Sequence, residues 1–493
     1  MTKRVLCLIL AAMCVGSMLV SCGDGKTEGP AATTPAVTTD GTATTTEPVT
    51  TEPAEALDIP EGYFLDGYEY TILCTALMTN PPTPFAYKDT ELVLDDAVYR
   101  RNTIIEDTYG ISIEVITEYT TTAGKAVARL QANRSAGDTL YDAGLIDVFG
   151  VCQLAHSGYL ADLQDVPYVA LEKSWWDQNA TRDTSIFGKT FFTTGDISFL
   201  DKEYTFATIF NKTIAEEKQL GDLYAIVREG KWTIDVMADM CKLVSEDLNG
   251  DDKLDSNDKF GLITWDAMLT ASINGSGNTI AHIEDDELVL SLNNEEVISV
   301  VEKYVGLAQH QSVHNFQHTT GGVGWIDMFN NGQALFLHEY LKALPSFRDT
   351  DLEYGILPMP KLSEEQENYY CGFAGYQTAM YCIPVDVFDE DISGVISEAM
   401  AYHSKLLVTP AYYDRTLIGR NVQDPESEET LNIIFANRIY DLGLFYKVGT
   451  YGTQLGYLLR DKNTDFSSMF EKFRTLSETD LKKINGFFES GNE

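Results

Sequence analysis

The sequence has few cations, and after its N-terminal segment it has no long apolar run. Its 493 residues include 35 Lys and Arg against 75 Asp and Glu, which gives a formal net charge of -40. Nucleic acids and anionic membrane surfaces would repel so acidic a chain, so neither is expected as a direct partner. No later apolar run approaches the roughly 20 residues that a membrane-spanning helix needs. Most of the chain is therefore predicted to fold in water.

Cysteine is also scarce, and no pair has the spacing of a redox or zinc motif. The chain has 8 cysteines, of which Cys7, Cys14 and Cys22 lie in the N-terminal segment. The other five are Cys74, Cys152, Cys241, Cys371 and Cys382. Without C-x-x-C spacing they are expected to be small buried hydrophobic side chains. The sequence does not decide whether Cys371 and Cys382 form a disulfide bridge.

Enzyme signatures are missing as well. His338 and Glu339 begin an H-E-x-x-H zinc motif, but the second histidine is absent, and no G-x-S-x-G nucleophile motif occurs. Ser256 and Lys259 match S-x-x-K by spacing alone, inside an acidic loop where chance explains the match. The sequence leaves open whether two carboxylates form a catalytic pair for glycoside hydrolysis, because 75 acidic residues allow many combinations. The sequence favours a protein without catalytic activity.

The N-terminus has the pattern of a secretion signal. Lys3 and Arg4 precede an apolar stretch over 5–20, which predicts a signal peptide over 1–21. Leu19 to Cys22 resembles the bacterial lipobox, which implies that Cys22 is acylated, as with palmitate, and anchors the protein on the extracellular face of the cell membrane. The alternative is ordinary cleavage and free secretion.

A low-complexity segment follows Cys22. Residues 22–60 are rich in Thr, Pro and Glu, with TTEP at 45–48 and again at 50–53. Such a composition buries too little apolar surface to offset the conformational entropy lost on folding. We predict a disordered tether that spaces the folded body from the anchor.

The folded part begins with strands that alternate with helices. We predict strands at 68–74, 111–115 and 143–149, and helices from about 91 to 109, at 125–134 and from 151. Alternating strands and helices predict a parallel or mixed sheet covered on both faces. The fold class is therefore α/β.

Eight fragments spread along the chain resemble one family of proteins. They are YDAGLIDV (141–148), GYLADL (158–163), WWD (175–177), TGDIS (194–198), FNKTI (210–214), EGKWTID (229–235), NNGQALFLHEY (330–340) and YGILPMPK (354–361). In this order and spacing they resemble extracellular solute-binding protein family 1, the maltose-binding-protein-like substrate-binding lipoproteins of ABC importers.

That resemblance implies a two-lobe periplasmic-binding-protein-like fold of type II with a hinge between the lobes. By position we place crossovers at 201–206, 335–339 and 384–388. Lobe 1 would comprise 66–200 plus 340–384, and lobe 2 would comprise 207–334 plus 389–490. A ligand would favour the closed state through its higher affinity for that state.

An acidic loop over 247–258 has the spacing of a calcium-binding loop. Its candidate oxygen ligands are Asp247, Asn249, Asp251, the carbonyl of Lys253, Asp255 and Asp258. Two positions depart from the usual loop, because Asp252 replaces the glycine at position 6 and Asp258 replaces the bidentate glutamate. We predict a weak structural Ca²⁺ site; the alternative is a solvated turn.

A sugar offers hydroxyl groups to carboxylates and apolar C–H faces to aromatic rings. We expect Asp201 and Glu339 to accept hydrogen bonds from hydroxyl groups. Rings that could stack on a sugar are Trp265, Trp325, Tyr340 and Tyr376. Each ring could instead pack in the core, as we expect of Trp175 and Trp176.

The leading hypothesis is a lipid-anchored binding component that delivers an oligosaccharide to the transmembrane permease subunits of an ABC importer. It is expected to act as a monomer, without nucleic acid and without catalysis. The alternative is a surface glycan-binding adhesin or a glycoside hydrolase.

Overall fold

The computed structural model describes residues 55–77, 84–85, 93–120, 124–318, 322–347, 350–375, 377–417 and 425–490. The predicted signal peptide, Cys22 and the tether up to residue 54 lie outside the described residues. Among the helices that the structure describes, none combines the length and apolar character needed to span a bilayer.

The strands form three sheets. They are β1 (Tyr68–Leu77), β2 (Ile111–Thr120), β3 (Ala143–Asp147), β4 (Phe206–Asn211), β5 (Phe260–Thr264), β6 (Ala281–Glu284), β7 (Glu287–Leu290), β8 (Val313–Asn315), β9 (Ala334–Tyr340), β10 (Tyr354–Leu357) and β11 (Ala379–Cys382).

The α-helices surround these sheets. They are α1 (Val93–Tyr109), α2 (Lys125–Ala136), α3 (Val148–Ala155), α4 (Gln178–Thr184), α5 (Leu200–Glu203), α6 (Lys212–Glu217), α7 (Leu223–Arg228), α8 (Ile234–Lys242), α9 (Met268–Gly275), α10 (Glu295–Gln309), α11 (Trp325–Asn330), α12 (Glu390–Leu417), α13 (Pro425–Ala436), α14 (Leu442–Phe445), α15 (Tyr451–Arg460) and α16 (Phe466–Ser490). Short 3₁₀ helices lie at Phe316–His318, Leu341–Phe347 and Val448–Thr450.

The first sheet has the order β11-β3-β1-β2. β1 is parallel to β2 and β3, whereas β11 is antiparallel to β3. Parallel neighbours need a long connection, and α1 and α2 supply the two connections. α12 packs on α1, and α3 packs on β3 and β11. We call this sheet with α1, α2, α3 and α12 lobe 1.

The second sheet has the order β10-β4-β9-β5-β8. β4 is antiparallel to β10 and β9, and β5 is parallel to β9 and β8. Every residue of β4, β5 and β10 is buried, as expected of strands covered on both faces. α6, α8 and α13 pack on this sheet, and α9, α10 and α15 pack on one another beside it. We call this part lobe 2.

Most local predictions for lobe 1 are confirmed, but the strand predicted over 143–149 ends at Asp147, and the helix predicted from 151 begins at Val148. α1 ends at Tyr109 and places Leu94, Val98 and Ile105 in the core, as the spacing of these apolar residues predicts. Gly110 follows at φ +66°, a left-handed conformation that glycine adopts at little cost. Strands β1, β2 and β3 begin at the residues predicted.

The predicted lobe boundaries after residue 334 differ from those in the structure. Residues 335–339 are not a crossover but lie inside β9, between β4 and β5. The chain instead returns to lobe 1 between β10 and β11, and 384–388 follows β11 within lobe 1. β10 pairs with β4 in lobe 2, and α12 packs on α1 in lobe 1. A short apolar strand has the same sequence pattern in either sheet, so periodicity could not assign it.

The five described cysteines are free, buried thiols, so Cys371 and Cys382 are not bridged. Trp175 and Trp176 are in the core, as expected, with 1% and 2% of their surface exposed. Their indole N–H groups donate to the two oxygens of Glu398, each at 2.8 Å.

Candidate ligand-binding cleft

A cavity of about 480 Å³ lies where strand ends of the two lobes meet. Phe149, which follows β3, lines it from lobe 1, and Trp265 and Asp266, which follow β5, line it from lobe 2. Ligands of open α/β sheets bind outside the carboxyl ends of parallel strands. The volume also falls in the range of small-molecule sites.

The cavity borders the segments that join the lobes. The N–H of Phe206 donates to the carbonyl of Gly372 at 3.0 Å, and the N–H of Ala374 donates to the carbonyl of Tyr204 at 3.0 Å. Two connecting segments therefore run side by side, and Phe206, Phe373 and Ala374 line the cavity. A hinge motion between the lobes would change the shape of this site.

A third wall comes from the segment between α14 and α15. Lys447, Thr450 and Tyr457 line the cavity, and the φ angles of Lys447, Gly449 and Thr450 are 56°, 57° and 58°. Lysine and threonine rarely adopt this left-handed conformation, and such strain is concentrated at functional sites. The N–H of Gly449 donates to a carboxylate oxygen of Asp480 at 3.0 Å, which fixes the turn.

Aromatic rings continue from the cavity along lobe 2. We call this set the aromatic row; it comprises Tyr204, Tyr340, Phe206, Trp265, Phe316 and Trp325. The ring centroid of Trp265 is 6.0 Å from that of Phe206 and 6.3 Å from that of Phe316. Phe316 is stacked on Trp325 at 5.3 Å. Rings in this arrangement can pack against the C–H faces of a sugar.

Asp266 supplies the carboxylate of the cavity lining. Its two oxygens accept hydrogen bonds from Asn315 at 2.9 Å and from the ring nitrogen of His318 at 2.6 Å. The side-chain oxygen of Gln317 accepts the N–H of Asp266 at 3.1 Å. Asn315, at the end of β8, and His318, in the 3₁₀ helix that follows, therefore fix the orientation of the Asp266 carboxylate, and Gln317 fixes its backbone.

Three of the predicted rings lie in or near the cavity. Trp265 lines it, and Tyr340 and Trp325 belong to the aromatic row. Tyr376 lies outside the described residues.

Glu339 does not share the position of Tyr340. Neighbouring residues of a strand point to opposite faces, and Tyr340 lies opposite Phe206, which lines the cavity. Glu339 therefore points to the other face, where 2% of its surface is exposed. Burial raises its pKa to about 8, although one oxygen accepts the N–H of Tyr340 at 3.0 Å.

Asp201 is in the core and is paired. It has no exposed surface, and Arg438 donates to its carboxylate at 2.5 Å. A carboxylate committed to a buried guanidinium is an unsuitable acceptor for hydroxyl groups. Asp201 therefore has a structural role beside the cleft.

Several lining residues were missed. Phe149 is the last residue of the strand predicted over 143–149, and Asp266 comes two residues after β5, so the rule that strand ends carry ligand sites selects both positions. Lys447 lies between α14 and α15 and Tyr457 lies in α15, and no local pattern predicts that these late segments approach the cleft.

The acidic loop folds around its own backbone N–H groups. The two oxygens of Asp247 accept from Gly250 at 2.7 Å and from Asp252 at 2.9 Å. Asn249 and Asp251 accept from the residues two positions later. Asp252 adopts φ +62°, the left-handed conformation for which a calcium loop normally uses glycine.

The end of the loop is held by Asp258. This residue is fully buried and accepts N–H groups from Leu248 at 2.9 Å and from Asp255 at 2.8 Å. Lys253 donates its own N–H to Asp251. In the described part of the chain, no three His, Cys, Asp or Glu side chains are grouped so that they could hold a metal ion. Calcium binding stays a prediction.

The comparisons with known proteins extend these findings. The sequence profile of bacterial extracellular solute-binding proteins matches residues 102–393. No curated protein matches the chain.

Solved structures share the fold at low identity. An ABC substrate-binding protein from Listeria monocytogenes in complex with cycloalternan is 16% identical, with a TM-score of 0.54 over 84% of this chain and 99% of its own. A cyclo/maltodextrin-binding protein with maltotetraose is 12% identical, with a TM-score of 0.56 over 84% and 96% of the two chains. UgpB from Mycobacterium tuberculosis with glycerophosphocholine is 14% identical, with a TM-score of 0.54 over 79% and 95%. These likenesses establish a two-lobe α/β fold.

Proposed function

Because the chain belongs to the bacterial extracellular solute-binding protein family, we propose that it captures an oligosaccharide and delivers it unchanged to the permease of an ABC importer. The observation that carries this proposal is a cavity bounded by both lobes and by the segments that join them, which Phe206 and Trp265 of the aromatic row line. Two of the structural neighbours hold cycloalternan and maltotetraose, which supports a sugar as the ligand.

The lining of the cavity supports binding without hydrolysis. Glycoside hydrolysis needs two carboxyl groups flanking the scissile bond. Among the described residues that line the cavity, Asp266 is the one that carries a carboxylate, and Asn315 and His318 already engage it.

The test is ligand-dependent thermal stability across a panel of neutral and acidic oligosaccharides. A ligand at 100 times its dissociation constant adds about 2.7 kcal/mol to the free energy of unfolding, so the melting temperature should rise with its concentration. Chromatography of the same mixtures should recover the sugar intact. If no oligosaccharide raises the melting temperature, sugar capture is refuted; if the sugar is cleaved, the hydrolase alternative replaces it.

Two tyrosines provide a matched pair for locating the site. Tyr457 lines the cavity with 43% of its surface exposed, and Tyr99 is on α1 with 44% exposed. Tyr457→Ala should weaken sugar binding about 5- to 30-fold, the effect of losing roughly 1–2 kcal/mol of ring contact. Tyr99→Ala should leave both stability and binding unchanged.

We also propose that a lipid on Cys22 holds this protein at the extracellular face of the membrane, where it acts as a monomer. The lipobox-like residues 19–22 support the anchor. Metabolic labelling with a palmitate analogue should mark the protein in membranes, and Cys22→Ala should release an unlabelled protein.

A further inference from the structure

A second cavity of about 300 Å³ adjoins the cleft. It shares Phe149 and Lys447 with the first cavity, so these two side chains lie at the boundary between them. Its remaining polar and charged lining residues include His156, Asp480 and Lys483. The aromatic part of the site therefore continues into a part that carries ionisable groups.

The carboxylates around the two cavities each accept at least one hydrogen bond from the protein. Asp266 accepts from Asn315 and His318, and Asp480 accepts the N–H of Gly449 at 3.0 Å. On the lobe 1 side, one oxygen of Asp147 caps α3 by accepting the N–H of Gly150 at 2.9 Å, and the other oxygen has no hydrogen-bond partner. Asp147 lines neither cavity.

The two ammonium groups are not engaged in this way. The ammonium of Lys447 lies 4.0 Å from the ring centroid of Phe149, a contact that fixes the charge without neutralising it. Among the residues that the structure describes, neither Lys447 nor Lys483 forms an ion pair. The charge of Lys447 acts on the carboxylate of Asp147, and Asp480 lines the second cavity together with Lys447 and Lys483. In a chain with a net charge of -40, two cations that face a ligand cavity without a direct ion pair are available to an anionic group of a ligand.

The backbone also places Lys447 at the boundary. Its φ of 56° is an uncommon conformation for lysine, and its ammonium lies against the ring of Phe149 in lobe 1. Strain of this kind persists only where the surrounding structure enforces it.

We propose that the ligand is a glycan that carries an acidic group, as a uronic acid does. Its sugar rings contact the aromatic row, and its carboxylate lies at the boundary of the cavities, where Lys447 and Lys483 neutralise it. This inference rests on the proposed function and narrows its ligand class.

Isothermal titration with matched pairs of trisaccharides tests it. The members of each pair differ only at C6: galacturonic acid against galactose, glucuronic acid against glucose, and mannuronic acid against mannose, each pair with the same linkage. In at least one pair the acidic member should bind about 10-fold tighter or more at low salt, as charge-assisted hydrogen bonds require. This preference should fall as salt is added, because the screening length shortens.

Variants of the two lysines test whether these residues cause the preference for acidic trisaccharides. Lys447→Met should reduce it about 5-fold or more, and Lys447→Met with Lys483→Met should abolish it, as removal of the charged partners requires. Both lysines are exposed, so the variants should melt at the temperature of the parent. Lys472→Met is the matched control, since Lys472 places its ammonium 5.2 Å from the ring of Phe473 on α16 but lines neither cavity.

The outcomes separate this inference from the proposed function. Neutral trisaccharides that bind as tightly as acidic ones, or more tightly, overturn the inference and leave sugar capture standing. If the double variant still binds the acidic trisaccharides more tightly than the neutral ones, the claim that Lys447 and Lys483 recognise the carboxylate is overturned. If no member of any pair binds, the inference fails with sugar capture.

Discussion

Arg438→Met should strongly destabilise the protein, because Arg438 neutralises two buried carboxylates. Its guanidinium pairs with Asp177, at the start of α4, and with Asp201, in α5. Arg438 is 4% exposed and Asp201 is fully buried. The interaction therefore joins a segment that follows α13 to two segments of the chain before β4.

Removal of the guanidinium would leave both carboxylates buried without their main counter-charge. Breaking a buried ion pair by removing one partner costs about 3–5 kcal/mol of stability. Residual support comes from Tyr440, whose hydroxyl donates to Asp177 at 3.1 Å, and from Lys202, whose ammonium lies 3.8 Å from Asp201. The free energy of unfolding at neutral pH should therefore fall by about 3 kcal/mol or more.

The same variant should show a distinct pH dependence. Burial alone would raise the pKa of Asp177, yet Arg438 holds the pKa below its ordinary value. A depressed carboxyl pKa contributes stability above the unfolded pKa of about 3.9, and this stability is lost as pH falls through the folded pKa. This contribution is already present at both pH 4.5 and pH 7.5, so its loss alone lowers stability equally at the two values. Without Arg438, burial should raise the pKa of Asp177 above its unfolded value, and such a group loses stability as pH rises from the unfolded pKa through the folded one. The deficit of the variant should therefore be larger at pH 7.5 than at pH 4.5.

Denaturant unfolding at both pH values, followed by tryptophan fluorescence, measures the deficit. Arg474→Met is the matched control: Arg474 pairs with Glu478 on α16, and both side chains are more than half exposed, so its loss should cost less than about 1 kcal/mol. Arg438→Met combined with Asp177→Asn and Asp201→Asn should recover most of the loss, because no buried charge remains unpaired. The reasoning is refuted if Arg438→Met costs no more than Arg474→Met, or if its deficit does not depend on pH.

Three further outcomes follow from the buried and acidic groups. Glu339 has a folded pKa of about 8, above its unfolded value, so it lowers the free energy of unfolding progressively from about pH 4.5 to pH 8. In that window the free energy of unfolding of Glu339→Gln should rise relative to that of the parent by up to about 1.4 kcal/mol per pH unit. Curves of stability against pH that run parallel for the two proteins would contradict this. Burial raises the pKa of Glu398 to about 7, so tryptophan emission from Trp175 and Trp176 should titrate near neutral pH, and a titration that persists in Glu398→Leu would exclude this origin. We propose Ca²⁺ as a structural ion of the loop 247–258, so a chelator should lower the melting temperature and Asp247→Ala should remove that response; an equal response in both proteins would refute the site.

The sequence predicts individual strands and helices of lobe 1 more reliably than it predicts which lobe an element joins. β1, α1 and β2 follow one another with clear periods of 2 and 3.6, and each is recognised from its own residues. The assignment of elements to lobes depends on contacts far apart in sequence, such as α1 with α12. Apolar strands such as β9 and β10 carry no signal of which sheet they join, and for this reason the predicted boundaries failed there.

The site was predictable where a general rule applied. The rule that ligands bind at strand ends predicts Trp265, which follows β5. The alternation of side chains along a strand predicts that Tyr340 and Glu339 point to opposite faces of the sheet. The role of Asp201 depends on Arg438, 237 residues later, so no local pattern could reveal it. The sequence therefore indicates which strand ends carry aromatic and carboxylate side chains, but the direction in which each side chain points depends on contacts distant in sequence.

The position of the third cavity wall bears on how ligand choice is encoded. The family profile ends at residue 393, whereas Leu444, Lys447 and Tyr457 belong to the segment that closes the cavity. Membership of the family therefore rests on the part of the chain that builds most of the two sheets, while part of the surface that meets the ligand lies beyond that match. Substitutions between α14 and α15 should change which glycan binds without disturbing either sheet, because this segment lines the cavity and contributes no strand. Varying these residues and measuring preference should therefore show how much of the ligand choice lies outside the matched part of the chain, which itself contributes Phe149, Trp265 and Asp266 to the cavity.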